Sequence, residues 1–238
     1  MNSDPIRLYE QAPLLQVSGE TIRPGGLALT DHALAFCALA AGSQVIDVGC
    51  GQGASVEHLI TRHGMKAIGV DPSSMLTQAG KRRCSALPLI QAAGESLPFA
   101  AQTFDAVLME CTLSLMEADR ALSEAARVLR QHGFLIVSDL YARDPDGAAA
   151  LHDLPIRSCL TGAVSRTEIT MRLTAHGFTV TLWEDHTDAL KLFAARLIWE
   201  HGSLDQFWQC ATHRERGELQ TAAARSKPGY CLVIAQKS

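Results

Sequence analysis

The chain has 238 residues, 47% apolar and 19% charged, which suits one core-building domain rather than several. Lys plus Arg is 21 against 25 for Asp plus Glu, and the net charge of −4 offers no basic footprint for nucleic acid or an anionic membrane. No apolar run approaches the ~18 residues of a membrane span, the start MNSDPIRLYE lacks a secretory apolar stretch, and seven cysteines without a C-x-x-C pair suggest reduced thiols in a cytoplasmic protein.

In chain order, Arg23-Pro24-Gly25-Gly26 reads as a hinge. A helix is predicted from Thr30, as its cap, to Gly42, with Leu34, Cys37 and Ala38 on one face. Short apolar runs follow: Val45–Val48, Ala67–Val70, Leu89-Ile90, Ala106–Met109 and Phe134–Val137. They are continuous rather than alternating, as strands covered on both faces must be. Between the last two, residues 119–131 place Leu122, Ala125, Ala126 and Leu129 on one helical face, and Gly133 is the expected stop. The repeating strand–helix order predicts an α/β fold with a parallel sheet. After Asp139 the rhythm breaks, and residues 140–164 read as an irregular cover. Ser165-Arg166-Thr167-Glu168 is a capping box that opens a helix to Gly177. Thr179–Trp183 suits an edge strand, Thr187–Gly202 a further helix, and Cys231–Ala235 a last buried strand.

The most informative stretch is Asp47-Val48-Gly49-Cys50-Gly51-Gln52-Gly53, where a buried strand enters a glycine turn and then a helix. Glycines there let a ligand approach the main chain with no Cβ in the way. Asp71 ends the next strand 22 residues after Gly49, where a carboxylate meets the ribose hydroxyls of a bound nucleoside. Gly49, Gly51 and Ala54 also satisfy the dinucleotide pattern G-x-G-x-x-A. Asp47 and the early third glycine, giving D-x-G-x-G-x-G, argue for a different nucleoside.

With these residues the sequence resembles the class I S-adenosylmethionine-dependent methyltransferases over roughly residues 30–180 and the last strand. The resemblance implies a Rossmann-like three-layer sandwich with a seven-stranded, mostly parallel sheet and an antiparallel last strand. It implies S-adenosylmethionine as cofactor, with Gly49, Cys50, Gly51 and Gly53 beneath its methionine part and Asp47 at its ammonium group. Asp71 takes the ribose, and Ser74 and Met75 lie near the adenine. Ala93-Gly94-Glu95 opens a third family motif in which Ala93 replaces the usual adenine-reading Asp, leaving the Gly94 N–H and Glu95 at the cofactor. The chain reads as one domain over 1–238, with an N-terminal lid (1–29), the 140–164 cover and a helical insertion (184–229) where the family usually has a short hairpin between the last two strands. Trp199, Phe207 and Trp208 are expected to pack that insertion against something apolar.

In such a sheet the site lies beyond the carboxyl ends of the strands. Glu110 and Asp139 fall there and are the candidate catalytic carboxylates, with Glu110 also a wall of the cofactor pocket. His152-Asp153 lies in the cover. Cys111 and Cys159 map to the same side. Cys159-Leu160-Thr161-Gly162-Ala163 and Glu110-Cys111-Thr112-Leu113-Ser114-Leu115 are similar to segments of arsenite methyltransferases, although the further cysteines of that family are missing here. The expected function is methyl transfer to a small molecule by a monomer or homodimer without a resident metal. The rival readings are a non-catalytic cofactor- or partner-binding module, a nicotinamide enzyme, and a methyltransferase of a soft thiol or metalloid acceptor.

Overall fold

The computed structural model describes residues 6–17, 21–152, 154, 156–212 and 218–238. Its main sheet contains β2 (Gln44–Val48), β3 (Lys66–Asp71), β4 (Leu89–Gln91), β5 (Phe104–Glu110), β6 (Leu129–Ala142), β8 (Phe178–Asp185) and β9 (Pro228–Lys237). Their order is β4-β3-β2-β5-β6-β9-β8, and β9 runs antiparallel to both its neighbours. The expected seven-stranded α/β architecture is the one observed. A short parallel pair, β1 (Ile6–Arg7) with β7 (Ile156–Arg157), joins the N-terminal segment to the cover and was not foreseen.

Successive residues along each strand feed opposite layers, the two-residue period of a sheet buried on both faces. Val45, Leu108 and Ile136 pack with Leu34 of α2 (Gly26–Cys37) and Leu59 of α3 (Ala54–His63). Ile46, Met109 and Leu135 pack with Leu122 of α5 (Ala118–Val128) and Leu173 of α7 (Arg166–Ala175). Each fully buried Leu, Ile or Val contributes roughly 1.5–3 kcal/mol. Helix α4 (Ser74–Arg83) flanks β4.

Helix α2 begins at Gly26, and Ala38 takes the left-handed position after Cys37. Thr30 is therefore inside the helix rather than its cap, and Gly42 lies beyond its end. Helix α5 stops at Val128, because Leu129 already pairs with Phe104 as the first residue of β6. The next pair is Ala106 with Phe134, so residues 130–133 bulge out of the ladder, and Gly133 sits in that bulge rather than at a helix end. Ser165 caps α7 as predicted, its hydroxyl accepting from the Glu168 N–H at 3.1 Å.

The segment expected to be an irregular cover is more regular than that. It contains the end of β6, α6 (Pro145–His152) and β7, while Asp153 lies outside the described residues. The insertion folds as α8 (Thr187–His201), α9 (Leu204–Thr212) and α10 (Glu218–Ser226). With α1 (Ala12–Val17) and β7 it forms a third apolar cluster that includes Leu14, Ile156, Leu197 and Phe207. Trp208 packs against that cluster, whereas Trp199 is 85% exposed and departs from the expectation.

Candidate active site

A cavity of about 650 Å³ opens at the carboxyl ends of β2, β3 and β5. The glycine loop forms one wall. Gly49 and Cys50 donate their N–H groups to Val70 O at 2.7 and 3.0 Å, tying the loop to the end of β3. Gly49 has φ +83°, and a Cβ there would run into the Thr112 side chain. Gly51 differs: its φ is +53°, and a Cβ would meet nothing within 4 Å because the position faces the cavity. Gly53 does not line the cavity; it fits against Leu89 at the start of α3, so its role is packing.

Asp71 is 5% exposed and lines the same space. It accepts from Gly51 N and Ser73 N, both at 2.8 Å, so it braces the loop it faces. Burial raises its carboxyl above the usual range, and the two backbone donors pull the other way. Asp47 is 2% exposed and is raised well above the usual range, first by burial and then by the nearby Glu110 carboxylate. Ala93, Gly94 and Glu95 also line the cavity, with Glu95 Oε1 accepting from Glu117 N at 3.0 Å. Ser74 and Met75 do not: Ser73 caps α4, so the next two residues turn outward, and Pro72 and Leu76 face inward instead.

Glu110 lines the cavity, but its carboxylate is engaged. It accepts from Arg23 Nη2 at 2.6 Å, Ser55 Oγ at 2.7 Å and Thr30 Oγ1 at 2.9 Å. Burial works against the Arg23 charge, and Glu110, Tyr230 and Asp47 together outweigh it, holding the guanidinium above its ordinary value. Nothing in the sequence marks Arg23, Thr30 and Ser55 as partners of Glu110: Arg23 reads as part of a hinge, Thr30 as a helix cap, and Ser55 as the residue that follows the glycine turn. Asp139 does not line the cavity. Its carboxylate accepts from Ser114 N, Ser114 Oγ and Leu140 N at 2.8–2.9 Å and fixes the turn after β5. Burial pushes it up to about 6 against those donors.

Cys111 and Cys159, 48 residues apart, both face the cavity, and the Cys159 thiol donates to Cys111 O at 2.8 Å. The two sulfurs and an Asp139 oxygen lie within 4.8 Å of one another. The Cys111 thiol is raised well above its ordinary value by its hydrogen bond with Cys159 and by burial. His152 is directed elsewhere, its Nε2 lying 3.2 Å from Ala163 O. The opposite wall is apolar: Leu190, Phe193 and Leu197 of α8 with Phe207 and Trp208 of α9.

Residues 46–137, which supply the glycine loop, Asp71 and Glu110, match the methyltransferase domain family. That stretch is a class I S-adenosylmethionine-dependent methyltransferase domain. The chain is 34% identical over 145 residues to the uncharacterized methyltransferase YodH of Bacillus subtilis, a match over 58% of the chain and 60% of YodH. It is 36% identical over 102 residues to a demethylmenaquinone methyltransferase of Tropheryma whipplei, covering 42% of each. The chain thus spans between two fifths and three fifths of these curated relatives. Among solved structures, the [4+2]-cyclase SpnF superposes with a TM-score of 0.68 at 25% identity, over 88% of this chain and 80% of that chain. Among the described residues no helix is long and apolar enough to cross a membrane.

Proposed function

We propose that the chain binds S-adenosylmethionine against the glycine loop and methylates an apolar small molecule held beneath α8 and α9. The observation that carries this reading is the two-sided cavity, with Asp47, Asp71 and the Gly51 main chain on one wall and Phe193, Leu197 and Trp208 on the other. The donor wall suits the cofactor: two buried acids match an ammonium and a ribose diol, and the Gly51 position leaves space where a main chain meets a ligand. When bound, the cofactor supplies a sulfonium methyl for in-line displacement, with S-adenosylhomocysteine as the product. The protein contributes alignment and exclusion of water.

Neither candidate carboxylate is free to act as a general base. Glu110 holds Arg23, and Asp139 is spent on Ser114 and Leu140. Both are positioning residues in this reading; a quinol or phenol acceptor attacks the methyl group as the carbon–sulfur bond breaks, and the O–H or C–H proton it loses passes to solvent. A related protein carries the name demethylmenaquinone methyltransferase, and prenylated quinols are accordingly the first acceptors to try.

The test is calorimetry with S-adenosylmethionine, followed by mass spectrometry of a panel of prenylated quinols and phenols. Cofactor binding with methylated product from an apolar acceptor is expected, and Phe193→Glu should abolish product while cofactor still binds. Binding without turnover of any acceptor would favour a non-catalytic module. A second reading rests on the Cys111–Cys159 pair, whose thiols suit a soft acceptor such as trivalent arsenic. Methylation of arsenite that Cys159→Ser abolishes would favour it.

A further inference from the structure

Away from the cavity, three side chains converge where α2 meets α3. Asp31 projects from α2, and His58 and His63 from α3. Asp31 Oδ1 lies 2.6 Å from His58 Nε2 and 2.7 Å from His63 Nε2. One ligand atom from each residue lies within 4.8 Å of both others. The imidazoles meet edge to face, with centroids 5.2 Å apart. Beside them is a separate cavity of about 280 Å³, lined by these three residues, Thr61 and Arg62.

We propose that Asp31, His58 and His63 bind a divalent transition-metal ion of the zinc type. Two imidazole nitrogens and one carboxylate oxygen are the donor set such ions prefer, at bonds of about 2.0–2.2 Å. Three donors already this close reach a common centre with small side-chain rotations, and the adjoining cavity leaves room for water as a fourth ligand. The helices that carry them are fixed by buried Leu34 and Leu59, so the site is largely preformed. An ion there would clip α2 to α3, one residue from Thr30 and its bond to Glu110. The inference does not depend on the proposed acceptor or on cofactor binding.

The neighbouring His32 provides an internal control. It meets Glu184 Oε2 at 2.8 Å, as does His186, giving a similar donor set that lines neither of the two cavities. The experiment therefore uses the full chain with His32→Gln and His186→Gln, titrated with Co²⁺ and followed by visible absorption. One equivalent of Co²⁺ with ligand-field bands, displaced by Zn²⁺, is expected. Adding His58→Gln and His63→Gln should weaken uptake by at least about tenfold. Asp31→Asn, whose folding circular dichroism checks independently, should weaken it too. No Co²⁺ spectrum at millimolar metal would overturn the proposal. So would undiminished uptake by the folded His58→Gln, His63→Gln or Asp31→Asn proteins, which would leave the cluster a hydrogen-bonded brace between two helices.

Discussion

The Arg23 guanidinium and the Glu110 carboxylate, 87 residues apart in sequence, form an ion pair with 5% and 6% of their side chains exposed. The pair joins the segment before α2 to the end of β5, so one contact couples the entrance of the cavity to its floor. Removing one member leaves a buried charge without its partner, which costs about 3–5 kcal/mol. Arg23→Met and Glu110→Met should each lower stability on that scale in urea titration. The double variant Arg23→Met/Glu110→Met should recover part of the loss, and strict additivity would show that the pair is not coupled.

Asp71→Ala should weaken S-adenosylmethionine binding by tenfold or more in calorimetry, since a charge-assisted hydrogen bond is worth about 1.5–3 kcal/mol. The variant also frees the Gly51 and Ser73 N–H groups. Cofactor loss should therefore accompany looser protection of those two amides in hydrogen exchange. Unchanged affinity in a folded Asp71→Ala protein would remove the ribose role.

Gly49 and Gly51, near neighbours in one loop, should respond differently to valine. Gly49→Val drives a branched side chain into Thr112 and should lower stability before any ligand is added. At Gly51 an added Cβ meets no protein atom, so Gly51→Val carries the strain of the positive φ without a clash at Cβ and should keep a folded circular-dichroism spectrum while losing cofactor binding. Equal destabilisation by both would mean that Gly51 is held for its backbone angle alone.

Asp139 gives a pH signature. Its carboxyl titrates near 6 in the folded protein against an ordinary 3.8, so the folded state binds the extra proton between those values. The resulting stability is full below the unfolded value and is lost as pH rises through 6. An amide in place of this carboxyl cannot ionise, so the melting temperature of Asp139→Asn relative to wild type should rise from pH 5 to pH 7. A flat or falling difference would contradict the raised value.

Replacing Cys111 and Cys159 together with alanine should leave cofactor affinity intact, because neither thiol is needed to hold the glycine loop. Stability should fall by about 0.5–3 kcal/mol, as for other partly buried substitutions. The wild type is expected to give no methylarsenical from arsenite.

The sheet was legible because runs such as Val45–Val48 and Ala106–Met109 are apolar on both faces, and few structures other than a covered parallel strand use such a run. The glycine loop was legible for the same local reason. Thr30 misled because a threonine before an apolar stretch reads as a cap, whereas here its hydroxyl bonds a carboxylate 80 residues away. Ser74 and Met75 are off by one or two positions from Pro72 and Leu76, since capping by Ser73 decides which side of α4 faces the cavity. The apolar wall was least legible: Phe193, Phe207 and Trp208 share a cluster with Ile156 and with Leu14, which lies at the other end of the chain.

The place of β9 bears on how the protein is made. The last strand of the sequence is an interior strand of the sheet, seated between β6 and β8. Until it emerges from the ribosome, both neighbours present unpaired, apolar-faced edges, the template on which strands of other chains pair. A nascent chain stopped before Pro228 therefore holds an assembled glycine loop beside an open seam. Such a chain exposes that seam at a stage when most of its cofactor wall is already built.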